Sequence, residues 1–112
     1  MGVSLVTKEG TEVWNGSRIY MEAYIAVTDA VSDFYHSESP IDARCLSDTY
    51  VMDEVLFCQL VEAVMSNPCD LFYVWAQRAM GMYLQIRQPP MQWDWPKREQ
   101  PIIPFIPITT GI

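Results

Sequence analysis

Positive charge is scarce in this chain. Seven Lys and Arg stand against fourteen Asp and Glu, with one His, for a net charge of −7 over 112 residues. So few and scattered basic residues cannot line a groove, which argues against direct binding of a nucleic-acid backbone. Histidine is rarer still. His36 stands alone, and Cys45, Cys58 and Cys69 form no Cys-x-x-Cys pair, so neither a metal site nor a disulfide framework is expected. The cysteines read as small buried hydrophobes kept reduced. Glycine is also sparse: the five, at positions 2, 10, 16, 81 and 111, form no phosphate-cradling loop. No uncharged apolar run reaches the roughly 18 residues of a membrane span. The first ten residues lack the basic leader and apolar core of a secretory signal. The expected location is the cytoplasm or the interior of a viral particle.

Catalytic constellations are missing too. His36-x-Glu38 followed by Pro68-Cys69 is half of the zinc-deaminase signature, but Phe72 stands where the second cysteine belongs. Asp53 and Glu54, adjacent on a predicted helix, point about 100° apart, a poor geometry for shared acid–base work. Neither an enzyme nor a cofactor is expected.

What the chain has is apolar surface. Half of it is hydrophobic and 19% charged, which favours a packed fold over disorder. The stretch Asn67 to Arg87 carries Asn67 as N-cap, Pro68 at the first helical position and Asp70 in the first turn, and it ends before Pro89-Pro90. Its polar positions, Asp70, Gln77, Gly81 and Gln85, share one line. The rest of the circumference is apolar, so it reads as a central helix covered on several sides. Ser17 caps another helix, Arg18 to about Tyr35. Its apolar face is Tyr20, Ala23, Tyr24, Val27, Ala30, Val31 and Phe34. A third helix is expected from an Asp48 or Ser47 cap to about Ser66. Before them, Val3–Thr7 and Thr11–Trp14 read as extended segments joined at Gly10.

The predicted architecture is therefore mainly α: a small three-helix bundle, a short N-terminal β-hairpin or extended segment, and a C-terminal extended Pro-rich arm. Residues 1–90 form the helical domain. Residues 91–112 form the arm, packed on its own core or on a partner subunit. The arm ends PIIPFIPITTGI, without a charged side chain. Each Ile or Phe buried there is worth about 1.5–3 kcal/mol, so the arm is expected to lie on protein.

Two functions from different classes follow. The first is a non-enzymatic assembly or interaction protein, built like small virion or phage-particle components, whose arm contacts another subunit or partner. Its contact residues are Trp93, Trp95, Ile103, Phe105 and Ile106. The second rests on charge: residues 20–70 hold ten acids against Arg44 alone. Glu22, Asp29 and Asp33 share a face there. An acidic inhibitor or adaptor would use it to occupy a basic surface of another protein.

Overall fold

A computed structural model describes residues 2–42 and 47–88. The chain opens with β1 (Gly2–Thr7) and β2 (Glu12–Ser17), paired antiparallel, with a register shift between Leu5 and Val6. Gly10 takes φ 98° in the connection, and its N–H donates to the Thr7 carbonyl at 2.9 Å. That left-handed backbone is open to glycine at no steric cost. Helix α1 (Arg18–Phe34) follows at once, its first turn closed by the Ser17 hydroxyl, which accepts from the Tyr20 N–H. Strand β3 (Thr49–Met52) then lies parallel to β1, with Leu5 opposite Tyr50. A parallel pair needs a crossover between its strands, and β2 with α1 supplies it. Helix α2 (Glu54–Ser66), a 3₁₀ turn (Asp70–Phe72) and helix α3 (Tyr73–Leu84) complete the described fold.

The three strands form one mixed sheet in the order β2-β1-β3. This corrects the expected mainly α three-helix bundle: the molecule is an α/β fold, with a sheet that helps to build the core. Thr49–Met52 is a strand where the sequence pattern predicts the first turn of the helix that ends near Ser66. Its Thr, Tyr and Val suit a strand, and Tyr50 and Met52 are buried while Thr49 and Val51 are half-buried, the two-residue period of a pleat. Along β1 the same alternation buries Val3, Leu5 and Thr7. These side chains join Met21, Ile25, Val31, Phe57, Leu60, Val61 and Val64 in a single core.

Asp53, rather than Asp48 or Ser47, starts α2. Its carboxylate accepts the Leu56 N–H at 3.0 Å and meets Lys8 Nζ at 2.9 Å. The Leu56 hydrogen bond first, and then Lys8, hold the Asp53 carboxyl below its ordinary range. A carboxyl depressed on folding stabilises the protein above its unfolded pKa, and that contribution is lost as pH falls through the depressed value. Asp53→Ala should therefore cost about 0.5–2 kcal/mol at neutral pH. Asp53→Asn keeps a capping acceptor but removes this acid-dependent part. Urea unfolding at neutral and acidic pH separates the two; a decline with acid as steep in Asp53→Asn as in the parent contradicts the assignment.

Asn67 ends α2 and does not cap α3. The apolar face of α1 is also turned from the expected one. Met21, Tyr24, Ile25, Thr28, Val31 and Ser32 are buried, while Tyr20, Ala23, Val27, Ala30 and Phe34 face outward. The reason lies in two hydroxyls. Thr28 donates to the Tyr24 carbonyl and Ser32 to the Thr28 carbonyl, each at 2.8 Å. Polar side chains satisfied by their own helix can enter the core.

Candidate functional site

Helix α3 is less covered than its apolar girth implies. Leu71 just ahead of it is 79% exposed and Val74 61%, and on α1 Ile19 is 82% exposed. Leu71 and Val74 line a groove of about 620 Å³ between α1 and α3. Tyr20, Ala23, Tyr24 and Val27 make the α1 side, at the i, i+3, i+4, i+7 spacing that forms one helical stripe. Leu71, Val74, Trp75, Gln77, Arg78 and Gly81 make the other. Among the described residues no other side chain or element comes within 4 Å of where a Gly81 Cβ would stand, so Gly81 faces the open groove.

Aromatic rings build the floor. Tyr24 and Trp75 stack with centroids 6.2 Å apart and planes 9° apart, and Trp14 meets Tyr24 edge-on at 5.5 Å. The Trp75 indole N–H donates to Thr28 Oγ1 at 2.8 Å, which fixes the ring in the core. The Arg78 guanidinium lies 5.0 Å from the Trp14 centroid and 5.7 Å from that of Tyr20, and it donates to the Tyr20 hydroxyl at 3.2 Å. Such cation–ring contacts are worth about 0.5–1 kcal/mol at exposed sites and also hold the guanidinium flat.

One polar atom in this group has no match. The Tyr24 hydroxyl is buried and has no hydrogen-bond partner among the described residues. Burial pushes its pKa well above the ordinary tyrosine value, against a smaller lowering by Arg78. It is a neutral donor at physiological pH. Among the described residues no His, Cys or carboxylate lines the groove. Its chemistry is that of binding: apolar walls, ring faces and N–H or O–H donors.

The anticipated contact residues Trp93, Trp95, Ile103, Phe105 and Ile106 lie outside the described residues. Glu22, Asp29 and Asp33 do share one exposed line of α1. Their side chains are partly engaged, since Tyr50 donates to Glu22 at 3.4 Å and Ser39 to Asp29 at 2.6 Å. That line is on a different side of α1 from Tyr20 and Val27. His36 ends α1 at φ 56°, exposed, its N–H donating to the Asp33 carbonyl. Cys58 is buried and Cys69 half-buried. Among the described residues no three His, Cys, Asp or Glu gather as metal ligands, and no helix is long and apolar enough to cross a membrane.

The sequence pattern places Tyr20, Tyr24 and Val27 on the buried face of the first helix and Leu71, Val74 and Trp75 on the covered girth of the central helix, with Gln77 and Gly81 on its polar line; the structure brings both sets to one open groove. The signal was the apolar girth of the central helix, which is wide for one small core to cover. No family model matches the chain, and neither a curated protein nor a solved structure matches it.

Proposed function

We propose that this chain is a non-enzymatic assembly protein, which acts by binding other protein subunits through apolar surfaces. The observation that carries the reading is the exposure of Leu71 and Val74 in the lining of an aromatic-floored groove. Contiguous exposed apolar surface of this kind marks interaction sites in soluble proteins. The uncharged, largely apolar sequence of residues 101–112 supports the same reading. Together they suit a subunit of a larger assembly, and a small virion or phage-particle component is the finer form of the same proposal. Light scattering across a concentration series is the test. The full chain should have a molar mass that is a multiple of the monomer, and a chain ending at Gln100 should fall to the monomer. A full chain that stays monomeric throughout refutes the reading.

The second reading is an acidic inhibitor or adaptor. It is supported by Glu22, Asp29 and Asp33, which lie in one line without an ion-pair partner among the described residues. Attraction between such a line and a basic surface is screened by salt. Capture of a basic partner should weaken steeply between low and physiological ionic strength; binding indifferent to salt removes this reading.

A further inference from the structure

We propose that the groove between α1 and α3 is a binding site for a small amphiphile with one carboxylate head and an apolar body, the head held by Arg78 and Tyr20. This goes beyond the assembly reading and does not depend on it. The first observation is where the positive charges go. Lys8 pairs with Asp53, Arg18 with Asp48 and Arg87 with Glu62. Arg78 has no carboxylate partner among the described residues, in a chain with fourteen acids and seven bases. Rings hold it instead. Its guanidinium lies over Trp14 and Tyr20, and one N–H goes to the Tyr20 hydroxyl at 3.2 Å. A guanidinium carries five N–H donors in a fixed fork, so most remain for a ligand. The Tyr20 hydroxyl accepts that bond and keeps its own proton to donate. Two donors thus stand side by side, one of them charged. A carboxylate has two oxygens with which to meet such a pair.

The groove also has a polar end and an apolar end. Helices α1 and α3 pass each other in opposite directions: Tyr20 meets Arg78, Tyr24 stacks on Trp75, and Phe34 meets Phe72, just ahead of α3, edge-on. Tyr20 and Arg78 are therefore at one end, with Gly81. Val27, Val74 and Leu71 line the other and have wholly apolar side chains. Tyr20 and Val27 are seven residues apart, about 10 Å along a helix. That is room for a medium-length alkyl chain beside Tyr24 and Trp75. A cavity of about 620 Å³ between helices, apolar with a few polar groups brought together, has the size and make-up of a small-molecule site.

The single cation sets the charge of the ligand. Among the described residues Arg78 is the only charged side chain in the lining. A phosphate ester would keep unmatched charge against a protein of net −7, and an ammonium head would meet a guanidinium and no acid. A monocarboxylate is matched. Repulsion from the acids elsewhere on the chain is screened beyond about 8 Å at physiological salt.

Calorimetric titration of the full chain with octanoate, 1-octanol and octylammonium is the test. Octanoate should bind saturably, one per chain, and about 10-fold more tightly than 1-octanol, the preference that a charge-assisted hydrogen bond confers. Octylammonium should bind more weakly than either. Arg78→Gln, at an exposed position, should fold as the parent by circular dichroism and take octanoate and 1-octanol alike. Tyr20→Phe keeps the ring and removes one donor, so it should weaken octanoate about threefold and leave 1-octanol unchanged. Hydrogen exchange at residues 20–27 and 71–81 should slow when octanoate is added to the parent. No saturable binding of octanoate overturns the proposal. So does equal affinity for octanoate and 1-octanol in the parent, or a preference for octanoate that survives in both variants. Light scattering on the same samples keeps the two readings apart. A chain that assembles but takes no octanoate overturns this proposal alone, and a monomer that binds octanoate overturns only the assembly reading.

Discussion

Trp75→Ala should lower the free energy of unfolding by about 3–5 kcal/mol, the range for deleting a large aromatic from a packed core. Trp75 is 3% exposed, stacks on Tyr24, and has the Phe57 centroid 6.3 Å from its own. Its indole also holds the Thr28 hydroxyl, a group that reaches α3 from α1. Truncation therefore opens a cavity and removes a link between two helices together. For a domain with a total stability of about 5–15 kcal/mol, that loss approaches unfolding. Two companions separate the contributions. Thr28→Val leaves the indole N–H buried without an acceptor and should cost about 1–3 kcal/mol. Val74→Ala, the neighbouring residue, should stay within about 0.5 kcal/mol when the monomer is unfolded, because its side chain is exposed there. Urea denaturation of the three variants is the measurement. A Val74→Ala cost close to that of Trp75→Ala would mean that α3 faces the core with its other side.

Leu5→Ala comes next, with an expected loss of about 2–5 kcal/mol. Leu5 is fully buried on the central strand, opposite Trp14 on β2 and Tyr50 on β3. Shortening it leaves a cavity against both neighbouring strands and the helices above. Ser4→Ala, one residue away on the other face of the strand, should be within about 0.5 kcal/mol. The contrast tests the α/β architecture itself. In a bundle with a peripheral hairpin, both substitutions would be nearly neutral, because an isolated hairpin is marginal in water.

Local signals in the sequence were legible where one residue acts on its immediate neighbours. Ser17 was readable as a cap because its hydroxyl needs only the N–H three residues on. Gly10 was readable as a turn because a positive φ is a property of one residue. Strand β3 was not legible. Thr49–Met52 runs through a single residue, Asp53, into the apolar pattern of α2, and a four-residue strand has little period of its own. Only its partner β1, more than forty residues earlier, distinguishes it from a first turn of helix.

The candidate site divides the same way. The apolar girth of α3 and the uncharged, proline-spaced sequence of residues 101–112 are properties of composition and order. Which apolar residues meet water is not. Thr28 and Ser32 turn inward because their hydroxyls bond to their own helix, and this rotates Tyr20 and Val27 out to the surface. The sequence by itself determined the Ser17 cap, the turn at Gly10, the acidic balance and an apolar content larger than one small core requires. The tertiary structure decided where the excess goes. A helix presents residues on all sides, and only the placement of α1, α3 and the sheet selects which side is left uncovered. That placement put Leu71, Val74, Tyr20 and Arg78 along one open groove.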